Sequence, residues 1–302
     1  MVSEERWVLG LGEVLWDCFP GRELPGGAPA NFAFHAAQLG CHAAVLSRVG
    51  HDERGEELLA LLQAGGVVTD WIQCDEEHAT GTVEVDTSRP DQPRFVIRPE
   101  AAWDYLEWTP QWQEVAGKAA AVCFGTLAQR SSRSRDTLRQ LLSSVPASSL
   151  TVYDVNLRQD FYDRATIDAS LRRSRAVKLN EGEEATLTQL LELGPCYPRE
   201  FAARLQFRYG VQAVCITRGG NGCLVIEGND MADEPGLPVQ VVDTVGAGDA
   251  FTAAWVFARL HGWPLRKQAQ FANRVGALVA SRAGAMPHLQ NEYRALVNEF
   301  AT

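Results

Sequence analysis

The chain has 302 residues, 46% hydrophobic and 22% charged, a globular balance with enough apolar residues for a large core. A formal net charge of −10 argues against nucleic acid or an anionic membrane as partner. An anionic substrate is still compatible, provided local arginines and backbone amides serve it.

Residues 7–11 predict a buried first strand leading into Gly12-Glu13-Val14-Leu15-Trp16-Asp17. Gly10 and Gly12 open a dinucleotide fingerprint, but no third glycine stands at 15 and no helix follows. Asp17 reads equally as a turn residue. Gly26-Gly27-Ala28-Pro29-Ala30-Asn31 is a loop entering a helix over 32–40 that Gly40 stops. A strand follows at 43–49 and a helix at 53–63. Residues 80–86 alternate apolar and polar, a polar turn occupies Ser88–Pro93, and residues 94–98 form a second strand. This hairpin interrupts the strand–helix rhythm. Arg98 on it is either a solvated edge charge or a substrate contact.

From 120 onward the alternation is regular. Strands are predicted at 120–125, 150–155, 175–179, 213–217 and 222–227. Helices are predicted at 132–144, 165–173, 181–193, 198–208, 247–261 and 267–283. Such alternation implies a mainly parallel sheet covered by helices on both faces, with ligands beyond the carboxyl ends of the strands. Polar clusters fall at those ends. Asn156 and Arg158 follow one strand. Asn180 follows the next, with Glu183 three residues on, which is the spacing of a capping box that Gln at 183 would also serve. Thr217, Gly219 and Gly222 belong to a glycine-rich turn that a hairpin alone would explain.

Val239–Val242 is a short apolar run read as a strand, and it leads into Asp243-Thr-Val-Gly246-Ala247-Gly248-Asp249. Small residues at a helix N-terminus let backbone N–H groups approach an anion, and Asp249 falls in the first turn beside that cradle. Phosphoryl transfer needs both an electrostatic nest and a base for the incoming hydroxyl. Asp in a first turn is also common simply because it suits the helix dipole. The seven cysteines include no Cys-x-x-Cys pair and read as reduced thiols in a cytoplasmic protein. The six histidines carry no zinc spacing, no apolar run of about 20 residues could span a membrane, and the start at Glu4, Glu5 and Arg6 is unlike a signal peptide.

The 243–249 stretch resembles the carboxyl-side signature of PfkB (ribokinase-like) carbohydrate kinases, and Gly26–Asn31 with Asp17 upstream resembles their amino-side signature. The resemblance runs from Gly12 to about Pro287. It implies a three-layer α/β sandwich in one domain, with a small β-lid from segments near 13–25 and 80–100. It implies ATP and Mg²⁺ as cofactors, with Asp249 the catalytic base and residues 246–248 the anion hole. Asp17, Gly27 and Asn31 would hold sugar hydroxyls, Arg98, Asn156 and Arg158 the substrate or moving phosphate, and Thr217, Gly219, Gly222 and, more weakly, Asn273 the nucleotide. Asn180 and Glu183 would organise magnesium-bound water, and Asp243 a monovalent cation such as K⁺. Gly-Glu-Val-Leu-Trp-Asp and Gly-Gly-Ala-Pro-Ala-Asn look most like fructokinases. A sugar-acid kinase for 2-keto-3-deoxygluconate is the alternative, because Arg98 and Arg158 could bind a carboxylate. A non-catalytic ATP-binding relative and a nucleoside kinase are weaker ones. Lids of this kind often pair into homodimers.

Overall fold

Short apolar runs become strands wherever neighbouring elements cover them. The computed structural model describes residues 6–86 and 94–301, so Glu4, Glu5 and the turn over 88–93 lie outside the described residues. Strand β1 (Trp7–Leu11) is followed by β2 (Leu15–Phe19), β3 (Arg22–Gly26), helix α1 (Ala28–Gln38), β4 (Ala43–Gly50), α2 (Glu53–Ala64) and β5 (Ile72–Asp75). Next come β6 (Gly81–Asp86), β7 (Arg94–Ile97) and α3 (Pro110–Gly117). The alternating part holds β8 (Ala119–Phe124), α4 (Ser132–Ser144), β9 (Leu150–Asp154), α5 (Arg164–Leu171), β10 (Ala176–Asn180), α6 (Glu181–Leu190), α7 (Pro198–Tyr209) and β11 (Ala213–Thr217). Then follow β12 (Cys223–Glu227), β13 (Asp230–Glu234), α8 (Ala247–Leu260), α9 (Leu265–Ala280) and α10 (Gln290–Ala301).

Nine strands form one sheet in the order β13-β12-β11-β10-β9-β8-β1-β4-β5. Neighbours from β11 to β5 pair parallel, and β12 pairs antiparallel on both sides. Successive side chains point to opposite faces, so each strand feeds two cores. Val8, Val45, Cys123 and Val152 pack with α1, α8 and α9 on one face. Leu9, Leu46, Val122 and Tyr153 pack with α3, α4, α5 and α7 on the other. This is the α/β sandwich around a mainly parallel sheet that the alternation implies.

A second sheet of four strands runs β3-β2-β6-β7. The expected hairpin is present as the antiparallel pair β6–β7, and β2–β3 is a further antiparallel pair joined to it by parallel β2–β6 pairing. One correction concerns Val239–Val242, which is irregular rather than a strand. Pro235 and Pro238 precede it, and proline withholds an amide and restricts its neighbour. Val241 and Val242 are 59% and 60% exposed, and Val242 N donates to Ala280 O at 2.9 Å. No helix of the described residues is long and apolar enough to cross a membrane.

Candidate active site

The carboxyl ends of β1, β9, β10 and β11 face the second sheet across a cleft of about 930 Å³. Its wall contains Asp17, Gly27 and Asn31 from β2 and the head of α1, and Asn156 and Arg158 after β9. It also contains Asn180, Thr217, Gly219, Gly222 and Asn273, and the run Gly246–Asp249 at the start of α8. The structure therefore brings together on one surface residues spread over most of the chain.

Helix α8 begins at a position only glycine can fill. Gly246 has φ +76°, and a Cβ there would stand 2.6 Å from backbone atoms of Ala285. First-turn amides of a helix have no intrahelical partners and carry the positive end of its dipole. Asp249 lies in this turn, and Asn31 Nδ2 donates to its Oδ2 at 2.7 Å. Beneath it is a buried polar cluster. Lys178 Nζ donates to Asp154 Oδ1 at 3.1 Å, and Thr252 Oγ1 donates to Asp154 Oδ2 at 2.9 Å. A Cβ on Gly248 would lie 3.2 Å from Lys178 Nζ, which places the ammonium under the helix start.

Burial, and then the Asp154 carboxylate, push Asp249 up to about 7, against Lys178, Asn31 and Arg158. Burial alone would lower Lys178, but Asp154, Glu183 and Asp249 outweigh it and keep the ammonium charged. Asp17 is raised to about 6 by burial, with Arg158 opposing and Asp243 assisting. A carboxylate near neutrality beside an amide-rich helix start can exchange a proton with a bound hydroxyl.

Gly27 has φ +104°, and a Cβ on it would meet Glu13 O at 2.5 Å, so the β1–β2 turn and α1 touch with no room for a side chain. Asn156 adopts φ +38°, a left-handed conformation asparagine tolerates better than most residues. At the glycine turn, Gly222 lies against the backbone of Glu234–Gly236, while Asn273 Nδ2 donates to Pro235 O at 3.3 Å.

Three expected site residues do not line the cleft: Arg98, Glu183 and Asp243. Val83 and Ile97 are register partners on the cleft face of the second sheet, so Glu84 and Arg98, one residue on, take the opposite face. Arg98 Nε donates to Glu84 Oε1 at 3.1 Å there, and both side chains are about half exposed. It is an edge charge in this structure. Asp243 braces a loop, Oδ1 accepting from Val245 N at 3.0 Å and Oδ2 from Gly284 N at 3.1 Å.

Glu183 completes the capping box with Asn180. Its two oxygens accept from Leu157 N at 2.9 Å and Asn180 N at 2.8 Å. This corrects the expectation that glutamine would serve equally. A Gln amide would face one of those N–H groups with a donor. Glu183→Gln is therefore expected to cost about 1–3 kcal/mol of stability, read as a fall in Tm. An unchanged Tm would show that one of the two bonds is dispensable.

Sequence reasoning passed over Glu13, Asp154, Lys178 and Thr252. The first and third line the cleft, Asp154 pairs with Lys178, and Thr252 donates to Asp154. The available signal was a charge inside an apolar strand, Lys178 in Ala-Val-Lys-Leu-Asn. Away from the cleft, His51, Cys74 and Glu76 bring ligand atoms within 4.8 Å on the exposed surface, a proximity that linear histidine spacing could not reveal.

The sequence model of the pfkB family carbohydrate kinases matches residues 9–292. A fructokinase of Salmonella typhimurium is 32% identical over 95% of this chain and 97% of its own length. A Pyrococcus horikoshii protein described as an uncharacterized sugar kinase is 32% identical over 86% of this chain and 82% of its own. Among solved structures, the ATP-bound fructokinase of Xylella fastidiosa superposes with a TM-score of 0.86 over 99% of this chain and all of that one. At 21% identity, that likeness speaks for the fold alone.

Proposed function

Because this chain belongs to the PfkB family of carbohydrate kinases, we propose that it transfers the γ-phosphoryl group of ATP to a primary hydroxyl of fructose. The observation that carries the reading is Asp249, a carboxyl near neutrality at the glycine start of α8, held by Asn31 from the adjoining helix α1. In this reading Asp17, Gly27 and Asn31 position the sugar and Asp249 takes the proton of the attacking hydroxyl. The amides of 246–248, backed by the Lys178 ammonium, meet the charge that develops on the phosphoryl oxygens. Asn156 and Arg158 border the reacting groups, and Thr217, Gly219, Gly222 and Asn273 border the nucleotide. The second sheet acts as the lid that keeps water from the transferring group.

Magnesium would supply charge neutralisation on the phosphates. In this reading the ion is held through water near Asn180 and Glu183, whose oxygens also accept from backbone amides and fix the end of β10. A monovalent cation at Asp243 belongs to the same reading, and a KCl titration of the rate tests it. Seven unpaired cysteines suit a reducing, cytoplasmic setting. The outer face of the second sheet, where Val96 is 41% exposed, is the surface for a homodimer.

Fructose is favoured over a sugar acid by charge. Among the described residues Arg158 is the arginine on the cleft wall, and it already compensates Asp17, Glu13 and Asp249. Arg98 faces away, and Lys178, the other cation on the cleft wall, is already paired with Asp154. Phosphorylation of fructose, 2-keto-3-deoxygluconate, ribose and nucleosides, measured side by side, tests the choice. Robust sugar-acid turnover without fructose turnover would overturn it.

The Asp249 shift sets a pH profile. As the base it must be ionised, so kcat/KM is expected to rise about tenfold per unit up to about pH 7 and then level off. A profile flat down to about pH 5 would mean Asp249 ionises in its ordinary range or is not the base.

A further inference from the structure

Glu13 follows β1, is 2% exposed, and lines the cleft. Burial raises its carboxyl, against the nearby amide of Glu13 itself, the Arg158 guanidinium and the amide of Ala28, the first residue of α1. Oε2 has no hydrogen-bond partner among the described residues. An idle buried acceptor costs free energy, so native structures seldom keep one without a use. Asn31 Oδ1 is also buried and unpartnered on the same cleft wall. Gly27 stands between them, with its backbone against Glu13. With Asp17 alongside, the head of α1 is an acceptor-rich wall suited to hydroxyl donors and hostile to a carboxylate.

We propose that Glu13 is a further sugar-binding residue, whose Oε2 accepts a substrate hydroxyl and makes the site select neutral sugars over sugar acids. The inference rests on the sugar-kinase reading above. The Ala28 amide lies near the carboxyl, and Oε2 is open to the ligand. A favourable contact with the Ala28 amide alone would survive in Glu13→Gln, because the Gln carbonyl can face that amide.

The test is steady-state kinetics of Glu13→Gln and Glu13→Asp on fructose, 2-keto-3-deoxygluconate and ATP, with melting temperatures. Losing a hydrogen bond to a charged acceptor is expected to raise the fructose KM of Glu13→Gln by about 10- to 100-fold. KM for ATP and Tm should stay near wild type, and sugar-acid kcat/KM should rise relative to fructose. Glu13→Asp keeps the charge but withdraws it, so fructose KM rises while the sugar acid stays excluded; this variant carries the test if the other does not fold. An unchanged fructose KM in either folded variant overturns the inference, as does an equal rise in the KM for ATP. Wild-type turnover is read first. If wild type phosphorylates another neutral sugar instead of fructose, the fructose assignment fails while the same KM ratios, taken on that sugar, still judge Glu13. A wild type that prefers the sugar acid overturns both.

Discussion

Asp249→Asn is expected to lower kcat by about 10²–10⁴-fold with ATP affinity largely kept. Asparagine preserves the shape and can still pair with Asn31, but it cannot take a proton. The same substitution should raise thermal stability. Folded Asp249 holds its proton up to about 7 against an ordinary 3.8. Between those values the folded state binds more protons than the unfolded one, so stability declines as pH rises through that window. Asparagine never ionises, so above pH 7 the variant should melt higher than wild type. Activity lost with Tm gained is the signature of a residue kept for chemistry at a cost in stability. A near-normal kcat would remove Asp249 from the reaction.

The second large effect concerns Lys178. Lys178→Met would leave the Asp154 carboxylate buried with Thr252 as its remaining side-chain donor. Breaking a buried pair by removing one partner costs about 3–5 kcal/mol, read in a denaturant melt. Lys178 also holds Asp249 down. Its loss should therefore move the acidic limb of kcat/KM to higher pH, a change that loss of packing alone would not produce. Lys178→Met combined with Asp154→Leu removes both charges and should recover much of the stability but not the rate. Recovery of the rate as well would make the pair structural only.

Much of this was legible in the sequence because it is local. Strand and helix alternation, the glycine start of α8 and the Asn180–Glu183 box are written in consecutive residues. Arg98 and Lys178 depend on partners elsewhere in the chain. Arg98 faces outward because Ile97 pairs with Val83 on the cleft side, a register that Arg94–Arg98 does not contain. Val239–Val242 has a strand's composition but lies beyond Pro235 and Pro238, at the cleft edge. Lys178 meets Asp154 because the two are direct register partners of β10 and β9. Either charge alone in an apolar strand signals a hidden partner, and only the fold says which.

The most direct measurement is the product of fructose and ATP with wild type and Asp249→Asn, followed by phosphorus NMR with ADP quantified in parallel. The expected result is one fructose phosphomonoester at a primary hydroxyl per ADP formed by wild type, and almost none from the variant in the same time. ADP without a sugar phosphate, or equal product from both proteins, would contradict a fructose kinase working through Asp249.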